Sequence, residues 1–90
     1  DTAIDYKEIA FFVANMLIKQ YPNRLLQRYN FLKDLPGDEL QLLEKIGAFR
    51  GCLKKGGVIN LQKASEVLIR ELRAGKLGNI SFETPKDIER

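Results

Sequence analysis

Apolar residues recur along the chain at helical rather than strand spacing, in four blocks separated by turn-forming residues. Asp5 followed by Glu8 has the spacing of a capping box, with Asp in place of Ser or Thr, directly before the first block. From there Tyr6, Ile9, Ala10, Val13, Met16, Leu17 and Tyr21 share one broad face, and Phe11, Ala14 and Ile18 widen it. Only Glu8, Asn15 and Lys19 mark a polar stripe, so this helix is predicted to be a central pillar buried on most sides. Pro22 suits the first turn of a following helix and disfavours helical backbone at Tyr21. A short second helix is therefore expected over about Asn23 to Tyr29, presenting Leu25, Leu26 and Tyr29.

The segment Lys33 to Asp38 reads as a loop by its Pro36-Gly37 pair and its charges, with Asp38 as N-cap of a third helix over about Glu39 to Phe49. Leu40, Leu42, Leu43, Ile46 and Phe49 take half of that wheel, which predicts a half-buried helix stopped by Gly51. Gly56-Gly57 permits a sharp reversal before Val58 and Ile59 re-enter the core. Asn60 can accept from the free N–H groups of a fourth helix, Leu61 to Ala74, which Gly75 ends. At 100° per residue, Leu61, Ala64, Ser65, Leu68 and Leu72 face one way, and Gln62, Lys63, Glu66, Arg70 and Arg73 the other. Ile80 to Phe82 is expected as a short extended piece lying back on the core, and Thr84 to Arg90 as frayed. The expected fold is all-α, a small bundle of about four helices over residues 1–84, with residues 85–90 as a tail.

Ninety residues make one domain, and a chain this short buries only roughly two-thirds of the surface its unfolded form exposes. The apolar fraction of 44% and charged fraction of 30% are those of an ordinary globular domain. No apolar run approaches the roughly 20 residues of a membrane span. The chain opens on Asp1 without an initiator Met and is read as a fragment of a longer protein in a reducing, cytoplasmic setting. The single Cys52 has no partner for an internal disulfide and, with no His in the chain, no base to activate it, so it reads as a small buried hydrophobe. There is no G-x-S-x-G, no H-E-x-x-H, and no phosphate loop ending in Gly-Lys-Ser/Thr. No catalytic residue, metal site or cofactor is expected in the fragment itself.

The net charge of +3 is unevenly spread. Residues 50–76 hold Arg50, Lys54, Lys55, Lys63, Arg70, Arg73 and Lys76 against Glu66 and Glu71, a local balance of +5, whereas each flank sits at −1. Those seven cations are the candidate contacts to RNA phosphates, the footprint a polyanion-binding surface leaves in sequence. They also fit a solvated helix face, because Glu66 and Arg70 are spaced for an i, i+4 pair and Arg70, Arg73 and Lys76 favour the helix dipole. The aromatic residues lie mostly on apolar stripes, which favours core packing over base stacking, with Tyr29 and Phe31 beside Arg28 as the exceptions. A protein-interaction module using apolar surface around Phe12 or Phe49 is the alternative. A DNA-binding helix-turn-helix is poorer, since only Gln62 and Lys63 stand where a recognition helix reads bases.

The run Ile46-Gly47-Ala48-Phe49-Arg50-Gly51-Cys52-Leu53, the pair Gly56-Gly57 with Asn60 and Ala64 after it, and the stretch from Arg73 to Glu83 together resemble the C-terminal domain of the ribosome biogenesis GTPase A (YlqF-type) family. Tyr21-Pro22, Arg24-Leu25 and Leu35-Pro36 are similar to it as well, so the resemblance runs from about Ile9 to Glu83. Asn60 stands where Asp is usual, and either residue caps a helix. The resemblance implies an ANTAR-like helical domain of a circularly permuted GTPase that assists assembly of the large ribosomal subunit. It implies ribosomal RNA and the large subunit as partners, the protein's own GTPase domain in cis, and GTP and magnesium bound outside this chain. It also implies a cytoplasmic location, or a mitochondrial one in a eukaryote, with no membrane partner.

Overall fold

A computed structural model describes residues 5–78 and Ile80. The order is α1 (Tyr6–Gln20), α2 (Pro22–Arg28), α3 (Glu39–Arg50), a 3-10 turn (Lys55–Gly57) and α4 (Leu61–Arg73). The all-α expectation holds, and each helix starts where its cap chemistry places it. Asp5 accepts from the N–H groups of Lys7 and Glu8, at 3.1 and 3.4 Å. Pro22 opens α2 immediately after Tyr21, one residue earlier than expected. Asp38 accepts from Gln41 N–H at 2.9 Å, while the Gln41 side chain accepts from Gly37 N–H at 3.0 Å. This is a capping-box exchange shifted one residue toward the loop. Asn60 accepts from Lys63 N–H at 3.1 Å.

Two glycines end helices because only a residue without a Cβ takes the left-handed conformation there freely. At Gly51 (φ 72°) the N–H of Cys52 returns to the Gly47 carbonyl at 2.8 Å. At Gly75 (φ 77°) the N–H groups of Gly75 and Lys76 return to Leu72 and Glu71, both at 3.1 Å, completing a Schellman closure. That closure turns the chain so that Leu77 is buried in the core.

α1 is the pillar. Ile9, Ala10, Val13, Ala14 and Leu17 are buried, α3 and α4 pack on it and on each other, and α2 covers another side with Leu25. Leu42, Leu43 and Ile46 of α3 and Leu68 and Ile69 of α4 complete the core. Helices α3 and α4 approach closely because Gly47 has no side chain. A Cβ built there would lie 2.8 Å from Ile59 Cγ2 and 3.3 Å from Ala64 Cβ. Cys52 is buried as a free thiol, as its reading as a small hydrophobe requires.

Three expectations are corrected. Leu40 and Phe49 of α3 are exposed rather than core residues, because the apolar half of that wheel is wider than the surface α1 and α4 offer it. Val58 is 60% exposed and only Ile59 turns inward, because residues 53–59 form a tight hairpin of alternating direction. Tyr29, expected as a surface aromatic, is 1% exposed. Ile80 packs against the core, but Asn79, Ser81 and Phe82 and the tail expected over residues 84–90 lie outside the described residues.

Candidate nucleic-acid interface

The hairpin between α3 and α4 is held by backbone. Leu53 and Ile59 form an antiparallel bridge, Lys54 N–H donates to Val58 at 2.6 Å, and Asn60 N–H donates to Cys52 at 2.7 Å. Gly56 (φ 86°) and Gly57 (φ 83°) make the reversal, which leaves Lys54 and Lys55 exposed at the tip. Lys63 stands in the first turn of the helix the hairpin feeds, and Arg70 and Arg73 lie in its last turns, all three exposed. Lys63 and Arg70, seven residues apart, are separated by only about 20° around the axis. Arg70 and Arg73 line an open cleft with Glu66, Ile69 and, from the start of α1, Tyr6. Glu66 accepts from Gln62 at 3.1 Å instead of forming the pair with Arg70 that its spacing allows.

Lys76, beyond the Gly75 closure, joins a different surface. It lines a polar groove with Arg24, Gln27, Arg28 and Asn30 of α2 and the loop after it. Arg24 crosses that groove, its guanidinium 5.8 Å from the centroid of the Tyr21 ring and packed against Gly78.

The most organised polar cluster surrounds Glu71, which in the sequence is simply one of the two acids in the basic stretch. Its carboxylate is buried, accepts from the Tyr29 hydroxyl at 2.8 Å and from Arg28 Nε at 3.3 Å, and pairs with Arg50 Nη2 at 2.5 Å. Arg28 and Arg50 keep 28% and 34% of their side chains exposed. Both ion pairs between described residues fall on this one carboxylate. Burial opposes its charge, but the hydrogen bonds from Tyr29 and Arg28 and the charge of Arg50 outweigh burial and hold the carboxyl below its ordinary range. Burial, reinforced by the carboxylate, pushes the Tyr29 phenol well above its usual value. Glu71 falls within about 20° of Ala64 on the α4 wheel, so its inward side was the sequence signal for a buried acid. Of the seven candidate cations, Arg50 is thus held by an internal acid, while Lys54, Lys55, Lys63, Arg70, Arg73 and Lys76 are exposed on the hairpin tip, the outer face of α4 and the α2 groove.

An aromatic stack adjoins the Glu71 cluster. Phe49, next to Arg50, lies parallel to Phe31, with ring centroids 4.1 Å apart and planes 10° apart. Tyr29 meets Phe31 edge-on, at 5.8 Å and 63°. Phe49 is 61% exposed.

Among the described residues no three His, Cys, Asp or Glu side chains converge where a metal ion could sit, and no helix is long and apolar enough to cross a membrane. Fold and surface together define a small all-α domain whose distinguishing chemistry is a cationic exterior around one internally neutralised carboxylate. No family model matches the chain. It is 44% identical over 87 residues to a ribosome biogenesis GTPase A of Bacillus cereus and 41% identical over 88 residues to that of Bacillus licheniformis, covering 97% and 98% of this chain. A ribosome biogenesis GTPase A of Thermotoga maritima is 42% identical over 48 residues, which is 53% of this chain and 18% of that protein. The chain belongs to the ribosome biogenesis GTPase A family and corresponds to its C-terminal region. It spans only 29% and 31% of the length of the two Bacillus relatives.

Proposed function

We propose that the chain is an RNA-docking domain that holds a ribosome-assembly GTPase on the precursor of the large ribosomal subunit. The observation that carries this is the fate of the two acids in the basic stretch. Glu71 is turned inward and neutralised by Arg28 and Arg50, so six exposed cations face solvent with Glu66 as the one opposing carboxylate from that stretch. The resulting field attracts a polyanion, and contacts from lysine and arginine to phosphates position a nucleic acid without reading its sequence. Relatives named as ribosome biogenesis GTPases support ribosomal RNA as that polyanion. In this reading GTP and magnesium act in another part of the parent protein, which works in the cytoplasm, and the domain supplies affinity and orientation rather than chemistry.

Titration of the chain with ribosomal RNA at several salt concentrations tests the proposal. If about four cations meet phosphates, log affinity falls against log salt with a slope on the order of −3. Replacing Arg70 and Arg73 by Ala lowers that slope by about 0.7 to 0.9 for each lost contact. Binding indifferent to salt and to Lys54→Ala combined with Arg70→Ala would overturn it.

A second reading, as a protein-interaction module packing on the GTPase domain or a ribosomal protein, is favoured by Leu53 and Val58, apolar and exposed on either side of the lysine tip. Affinity that rests on them is insensitive to salt, so the same titration separates the two.

A further inference from the structure

Phe49 is a large apolar ring that the core does not use. One of its faces is covered by Phe31, and 61% exposure leaves the opposite face open. The stack is fixed from below, because Phe31 meets Tyr29 edge-on and the Tyr29 hydroxyl is bound to Glu71. The same carboxylate fixes two guanidiniums, one of them on the residue after Phe49. Arg28 uses Nε and Arg50 uses Nη2 on Glu71, which leaves both Nη groups of Arg28 and the Nε and Nη1 of Arg50 as donors on side chains about one-third exposed. Two guanidiniums on one carboxylate carry a net positive charge. From Arg28 the positive surface continues into the groove lined by Arg24 and Lys76.

We infer that the Phe31–Phe49 stack and the Arg28–Arg50 pair form a subsite for one unpaired nucleotide of RNA, its base on the outer face of Phe49 and its phosphate on the guanidiniums. The inference rests on the RNA-docking reading and adds a single-stranded element to it. A rigid aromatic platform beside a cationic groove is the arrangement that single strands need, since every base has a π-face and the backbone follows the charge. An apolar protein partner fits less well, because Arg50 follows Phe49 directly and keeps 34% of its side chain exposed, charge that such a partner would have to desolvate. Glu71 and Tyr29 act here as positioning residues: they touch no ligand but fix the arginines and the stack.

The chain contains no tryptophan, so Phe49→Trp introduces a single fluorescent reporter at the platform. The probes are a 12-nucleotide single-stranded RNA and a blunt duplex of the same sequence. Removal of one base–aromatic stack is expected to weaken binding about tenfold. Phe49→Ala therefore loses about tenfold in affinity for the single strand and none for the duplex, while Phe49→Trp keeps its affinity and its emission is quenched by the single strand alone. Phe49 is outside the core, and far-UV circular dichroism verifies that both variants remain folded. Unchanged single-strand affinity in Phe49→Ala, or equal quenching by the duplex, overturns the subsite. If salt-dependent binding and sensitivity to Arg70→Ala survive in that case, the docking reading stands and the open ring is left to an apolar partner. Loss of salt dependence for both RNAs overturns the docking reading and the subsite with it.

Discussion

Replacing Glu71 by Leu removes the one acceptor shared by Tyr29, Arg28 and Arg50 while keeping side-chain volume similar. Exchanging all members of a buried ionic cluster for apolar residues is often harmless, but removing one member strands the others. The Tyr29 hydroxyl suffers most: it is buried, its partner among the described residues is Glu71, and an orphaned buried hydroxyl costs about 1 to 3 kcal/mol. The arginines suffer less, because their exposed portions rehydrate, so each lost pair is worth no more than about 1 kcal/mol. The whole change should cost about 2 to 4 kcal/mol, a large part of the roughly 5 to 13 kcal/mol that holds a domain of this size together. At ~4 to 8 °C per kcal/mol, Tm should fall by on the order of 10 to 25 °C. Thermal unfolding followed by circular dichroism at pH 7 gives the number. Glu71→Gln, which retains a carbonyl for the phenol, should fall between Glu71→Leu and the parent. A Glu71→Leu chain that melts within about 3 °C of the parent would show that the cluster contributes no stability and that its orienting role needs another basis.

Because the Glu71 carboxyl is held below its ordinary value of 4.5, its contribution is complete above that value and is lost as pH falls through the lowered one; acid titration of Tm should show this loss, and Glu71→Gln should flatten it. The raised Tyr29 phenol acts in the opposite sense, with stability lost as pH rises above its ordinary 10.0, a limb that Tyr29→Phe should remove. Gly47→Ala should destabilise by about 1 to 3 kcal/mol, because its Cβ would press on the branched stub of Ile59; adding Ile59→Ala should recover part of the loss, and simple additivity in that double-mutant cycle would exclude the contact as the cause. Ser65 is buried in α4 with a hydroxyl that has no partner among the described residues, so Ser65→Ala should raise stability by about 0.5 to 1 kcal/mol; a lower Tm would show that the hydroxyl is satisfied in solution.

Helix boundaries were legible because capping is local chemistry. Asp5, Asp38 and Asn60 each bond to an N–H two or three residues on, and Gly51 and Gly75 need only their own backbone freedom. Helix faces were legible in kind but not in extent. The wheel of α3 places Leu40 and Phe49 on its apolar side, but how far a neighbouring helix reaches across that side depends on the crossing, which Gly47 sets through Ile59 and Ala64. The Glu71 cluster was not legible, because its partners Tyr29 and Arg28 lie 42 and 43 residues away and no local pattern links them. The positive stretch was visible as a count of charges, but which of its acids would oppose it was settled only by the burial of Glu71.

The Lys54-Lys55 tip is closed by main-chain bonds and two left-handed glycines, and none of its side chains from Leu53 to Val58 is buried. Loops built this way tolerate exchange of their outermost residues, since the scaffold beneath does not depend on what they carry. Affinity for a partner can therefore be retuned at this corner, by swapping, lengthening or neutralising it, with little penalty to folding. That makes the tip the natural place to graft a new specificity onto the domain.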